Sequence, residues 1–145
     1  MQGSDAVHVV AVCVVEKDGR VLLMECQDKA KGGTYYRPLG GRVGFGEPEQ
    51  QTVRRAFREG IGAELKNLES YGQMESPFPL TGESGHEILI IFRGDLTDPA
   101  LYEAAERPIL EGGRTLGKAV WVPLKDLHAG KVPLYPEGLL ELMEL

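Results

Sequence analysis

Apolar residues dominate Ala6 to Val15 and Arg20 to Cys26, with Asp18-Gly19 between the two runs. Two runs rich in β-branched and aliphatic side chains, joined by an Asp-Gly turn, predict a strand hairpin. Their near-continuous apolar character, rather than strict alternation, predicts a sheet buried on both faces. The turn pairs Lys17 with Arg20. Extending the ladder pairs Cys13 with Met24 and Ala11 with Cys26. The two cysteines then sit diagonally on one face at roughly 7–8 Å, which is too far for a disulfide. Two buried thiols in a reducing compartment are expected.

Further along, Lys29 to Thr34 reads as a polar loop and Tyr35 to Leu39 as extended chain, because the residue before Pro38 is held out of the helical region. Gly40 to Gly46 (GGRVGFG) excludes a helix. Pro48 sits where a helix begins, and Val53, Ala56, Phe57, Gly60 and Ile61 recur at helical spacing, so a helix is expected from about Pro48 to Gly60 or Ile61 with Gly62 as its terminator. A strand is expected near Leu65 to Met74, then a loop with Pro77, Pro79 and Gly82, and a strand from His86 to Arg93. A short helix around Leu101 to Glu106, a strand Ala119 to Val122, a helical turn Leu124 to Leu127 and a terminal amphipathic helix Glu137 to Leu145 complete the pattern. Strands interleaved with a few helices predict an α/β sandwich whose mixed sheet is covered on both faces.

At 145 residues the chain suits one domain, residues 1–145. No apolar run approaches the ~18 residues that span a bilayer, and the N-terminus carries no secretion signal. A soluble, cytoplasmic domain that does not engage membranes is expected. The net charge is −6, yet Lys29 to Gly62 carries +4 and the remainder −10. A basic segment on an acidic protein suits a small anionic ligand and disfavours a nucleic acid polymer, whose backbone the surrounding surface would repel. The glycines of this segment permit close approach of backbone N–H groups to a phosphate. Arg37 and Arg42 offer forked donors to the same ligand. Tyr35, Tyr36, Phe45 and Phe78 are candidates for a base-stacking wall, with core or loop packing as the competing role. His86-Glu87 lacks the second histidine of a zinc helix, so zinc catalysis is not expected.

Gly40 to Ala63, GGRVGFGEPEQQTVRRAFREGIGA, resembles the signature of the Nudix hydrolases, G-x5-E-x7-R-E-U-x-E-E-x-G-U, where U is apolar. Gly41, Glu47, Arg55, Phe57, Glu59 and Gly62 fall in register. The opening hairpin, the YYRPLGG approach, HEILIIF and the W-x-P-L segment at Trp121 extend the resemblance over nearly the whole chain. It implies a Nudix-type α/β/α sandwich. It also implies hydrolysis of a nucleoside diphosphate linked to another group, by water attack at phosphorus with Mg²⁺, for which Mn²⁺ can substitute. Carried onto this chain, Glu59 and Arg55 are the catalytic candidates. Glu59, Glu87 and Glu47 are the metal candidates, and Gly40, Gly41, Arg37 and Arg42 the substrate contacts. Glu47 has a competing role as a helix-start charge paired with Arg55. Relatives often pair as homodimers, while the residues themselves leave the oligomeric state open.

Two departures stand out. Ala56 and Gly60 replace two box glutamates, and positions 56, 59 and 60 share one side of the helix. One carboxylate with a second acid supports a single substrate-borne Mg²⁺, since that ion is often held by one or two carboxylates plus water and phosphates. The alternative is a nucleotide-binding module (sensor, regulator or subunit) that has lost efficient hydrolysis. Gly60 costs about 1 kcal/mol of helix stability relative to Ala, which points either to close backbone approach or to an early helix end.

Overall fold

The computed structural model describes residues 7–28, 32–76 and 86–145. Lys29, Lys31, the loop prolines 77 and 79, Phe78 and Gly82 lie outside them. The described residues form eight strands: β1 (Val7–Val14), β2 (Glu16–Lys17), β3 (Arg20–Gln27), β4 (Thr34–Arg42), β5 (Leu65–Ser76), β6 (His86–Leu96), β7 (Glu106–Glu111) and β8 (Arg114–Pro123). The helices are α1 (Glu49–Ile61), α2 (Ala100–Glu103), α3 (Leu124–His128) and α4 (Leu139–Met143). The strand order is β5-β6-β1-β4-β3-β8-β7, with β2 beside β3. The sheet is mixed, as expected, because β1 runs parallel to β6 from Val7↔His86 to Val14↔Arg93.

The Asp18-Gly19 turn forms with both residues at positive φ, 54° and 77°, and pairs Lys17 with Arg20. The longer hairpin does not form. After Glu16↔Val21 and the Leu22 N–H to Val15 carbonyl bond, β1 and β3 part, and β4 enters between them. Residues 34–38 of β4 pair with β3, and residues 39–42 pair with β1. The turn residues fix only the rungs beside them. Cys13 therefore faces Leu39 and Phe92, and Cys26 faces Tyr35. Both thiols are free, but because they belong to different apolar clusters rather than to one face.

Burial of β1 on both faces is borne out. Ala11 and Cys13 join Leu39, Val53, Phe57 and Ile61 beneath α1. Val12 and Val14 join Leu23, Leu89, Ile91, Leu139 and Met143 beneath the C-terminal segment. Strand β7 corrects the expectation of a helix reaching Glu106, since α2 ends at Glu103. Pro108 disguised this strand, and the edge position of β7 tolerates it. Helix α4 is shorter than Glu137 to Leu145 because Gly138 and Glu144, at φ 87° and 57°, close both its ends. No helix among the described residues is long and apolar enough to cross a membrane.

Candidate active site

Helix α1 forms because Val53, Phe57 and Ile61 supply a buried stripe at helical spacing. Pro48 stands at its start, and Gly62 closes it at φ 69°, donating its N–H to the Arg58 carbonyl. The loop that precedes it is fastened by Glu47. Oε2 accepts Arg55 Nε at 2.9 Å, and Oε1 accepts Arg55 Nη2 at 3.0 Å, the buried Thr52 hydroxyl at 2.7 Å and the Gly44 N–H at 3.1 Å. Arg55 Nη2 also donates to the Arg42 carbonyl at 3.3 Å. Glu47 and Arg55 are thus a bidentate clasp between loop and helix, and Thr52 is a member that the sequence reading missed. Its signal was a hydroxyl one turn inside a helix whose preceding loop ends in an acid.

Arg55, the neighbouring Thr52 hydroxyl and the Gly44 N–H hold the Glu47 carboxyl down, from 4.5 to about 2. Between those values the unfolded chain binds a proton that the folded chain does not, so this contribution is complete above pH 4.5 and fades as pH falls towards 2. The difference in urea midpoint between wild type and Glu47→Gln is expected to shrink across that window. A difference constant from pH 5 to pH 2 would show that the clasp does not exist.

Glu59 lies one turn beyond Arg55, with Oε1 3.6 Å from Arg55 Nη1 and 64% of its side chain exposed. Of the two signature carboxylates, Glu47 and Glu59, it is the one not closed into the clasp. Gly40 and Gly41 lie within β4 rather than in a phosphate-cradling loop. A Cβ on Gly40 would come within 2.0 Å of the Ala11 carbonyl oxygen, and one on Gly41 within 3.2 Å of the Ala56 Cβ. Both glycines are accounted for by close packing. Ala56 lines a cavity of about 90 Å³, mostly apolar, whose other walls include Val10, Met24, Leu39 and Ile109, with Arg37 as its charged member. Gly60 lies inside the helix and is buried, where a Cβ would be 3.4 Å from Ile109 Cγ2. The helix runs on past Gly60 to Ile61, so this glycine does not end it; a methyl at 60 would meet Ile109 at ordinary contact distance, and β7 occupies the space that a longer side chain would need.

Glu87 is not beside Glu47 or Arg55 but in a separate cluster. Its Oε1 accepts Arg37 Nη2 at 3.4 Å and the Tyr135 hydroxyl at 2.9 Å. Arg42 is exposed and contributes its carbonyl. Of the aromatic candidates, Tyr35 is buried, Tyr36 donates to Glu25 at 3.3 Å, and Phe45 is fully exposed at the loop tip. Among the described residues no three His, Cys, Asp or Glu side chains come together as a metal-ligand group. The donor chemistry suits one ion touched by an exposed carboxylate, with water and phosphate oxygens filling the shell, rather than a preformed ion cluster.

The family model of the NUDIX domain matches residues 6–142. The chain belongs to the Nudix family. Solved structures agree on the fold. A MutT NUDIX hydrolase from Burkholderia pseudomallei has a TM-score of 0.68 at 20% identity, over 97% of this chain and 99% of that one. A NUDIX hydrolase from Nitrosomonas europaea gives 0.66 at 17% identity, over 96% and 87%. The human mitochondrial NAD(P)H pyrophosphatase NUDT13 is 34% identical over 70 residues, which are 48% of this chain and 19% of that protein. The match thus spans about a fifth of that curated relative's length. Nudix hydrolases generally use divalent metal ions.

Proposed function

We propose that this Nudix protein hydrolyses a diphosphate linkage in a small nucleotide derivative in the cytoplasm, with one divalent ion, Mg²⁺ or Mn²⁺. The observation that carries the reading is the exposed Glu59 carboxylate beside a clasp of Glu47 and Arg55 that holds helix and loop in box register. Glu59 is the protein's ligand to the ion, because it is open to solvent, whereas Glu47 is closed onto Arg55 and Glu87 is largely buried beside Arg37 and Tyr135. The ion, when bound, neutralises phosphate charge and polarises the bond to be broken. Arg55 sets the orientation of Glu59 by standing between it and Glu47. The acidic remainder of the chain favours a small substrate over a polymer. The human relative is named as an NAD(P)H pyrophosphatase, which makes dinucleotide diphosphates such as NADH the first substrates to try.

The test is hydrolysis of NADH, ADP-ribose, dinucleoside polyphosphates and nucleoside triphosphates with Mg²⁺ or Mn²⁺. Slow, metal-dependent turnover is expected, and Glu59→Gln is expected to lower it about 100-fold or more, the equivalent of several kcal/mol of lost charge stabilisation. Turnover unaltered by Glu59→Gln overturns the assignment. One pair of observations favours a second reading, a nucleotide-binding module without turnover: Ala56 faces an apolar cavity and Gly60 is packed on β7. Nucleotide binding with no product under any metal would establish that reading instead.

A further inference from the structure

We infer that Arg37, Glu87 and Tyr135 form a built receptor for a phosphoryl group, in which Arg37 binds the anion and Glu87 is a positioning residue rather than a metal ligand. The inference takes its ligand class from the hydrolase reading but does not depend on turnover. Three polar side chains are drawn almost out of solvent together: Arg37 is 11% exposed, Glu87 17% and Tyr135 4%. Burying a guanidinium is costly unless it is paired, yet the partner stands at 3.4 Å, longer than the 2.7–2.9 Å of a closed charge-assisted bond. The pair is loose; the guanidinium also has the Tyr35 side chain as a hydrogen-bond partner, and with five N–H donors it keeps capacity for an anion.

The surroundings fix where that cation points. The Arg37 guanidinium lies over the Tyr135 ring, 4.9 Å from its centroid. The Tyr135 hydroxyl donates to the same Glu87 oxygen that accepts Arg37. Chain geometry holds the ring there, because Tyr36 N–H bonds the Pro133 carbonyl and Tyr135 N–H bonds the Tyr36 carbonyl, stitching the C-terminal segment to the start of β4. Arg37 also lines the cavity that contains Ala56, so it connects this cluster to the box helix. A planar fork with fixed direction suits phosphate recognition. Glu87, 17% exposed and shared between Arg37 and Tyr135, leaves little room for an ion with its shell of water and phosphate oxygens, whereas Glu59 is 64% exposed, which argues against the metal role for Glu87.

Two equilibrium measurements test this without turnover: calorimetric binding of inorganic pyrophosphate in EDTA, and Mn²⁺ binding followed by electron paramagnetic resonance. Arg37→Lys is expected to weaken pyrophosphate about 10-fold or more, the loss of charge-assisted bonds. Tyr135→Phe, which keeps the ring, is expected to weaken it about 2–10-fold. Glu87→Gln is expected to weaken pyrophosphate while leaving Mn²⁺ affinity within about twofold of wild type. Glu59→Gln should do the reverse. A tenfold loss of Mn²⁺ affinity in Glu87→Gln, pyrophosphate affinity unmoved by Arg37→Lys, or no pyrophosphate binding by wild type each overturns the inference. An inactive protein that binds pyrophosphate through Arg37 leaves it standing and removes only the hydrolase reading.

Discussion

Gly40→Ala is expected to abolish the cooperative unfolding transition, or to lower stability by about 4 kcal/mol or more, the range reserved for exceptional core damage. The added methyl would lie 2.0 Å from the Ala11 carbonyl oxygen and 2.7 Å from Val12 Cα. Neither neighbour is the end of a side chain that can swing away. Both belong to β1, at the centre of the sheet, so relief requires β4 to leave its partner. Overpacking that side chains can absorb costs about 1–3 kcal/mol, and a domain of this kind has only about 5–15 kcal/mol in total. Gly41→Ala is the control. Its methyl meets only the Ala56 methyl, at 3.2 Å, and a loss of about 1–3 kcal/mol is expected. Urea denaturation of the two proteins separates the cases, and equal stabilities would mean that β4 and β1 are not paired as described.

Gly60→Glu is expected to destabilise the protein by about 2–4 kcal/mol, because a carboxylate pushed between α1 and β7 meets the Ile109 side chain and the Leu110 carbonyl and loses its water there. Gly60→Ala is expected to fall within about 1 kcal/mol of wild type, since a gain of that size in helix propensity offsets a contact at ordinary distance. The contact in question is 3.4 Å to Ile109 Cγ2. Thermal melts with and without Mn²⁺ distinguish a packing position from a ligand position. If Gly60→Glu instead melts higher and Mn²⁺ raises it further, the side chain at 60 reaches an ion and the packing account is wrong.

How much of this could be read from the residues depends on how local each cause is. Helix α1 was readable to within a residue because Pro48, the Val53–Phe57–Ile61 stripe and Gly62 all act within it. The Asp18-Gly19 turn was readable for the same reason, but the ladder beyond it was not. Whether β1 stays with β3 is decided by competition from β4 and β6, which lie far off in sequence. Strand β7 escaped notice because Arg107 and Pro108 break the apolar pattern, although Gly112-Gly113 between Glu111 and Arg114 carried a hairpin signal. At the site, the pairing of Glu47 with Arg55 could be anticipated from spacing. Tyr135 could not be assigned a role, because what ties it to Glu87 is a contact across 48 positions.

Ile109 Cγ2 stands 3.4 Å from where a Cβ at position 60 would lie, which ties what position 60 can carry to the size of the residue at 109. An acid at 60 is best accommodated with a smaller residue at 109, and that smaller residue opens a void while the helix still carries glycine. Taken in the other order, the acid arrives before there is space for it. Positions 60 and 109 are therefore coupled across the gap between helix and edge strand, and each change alone is expected to cost more stability than the two made together.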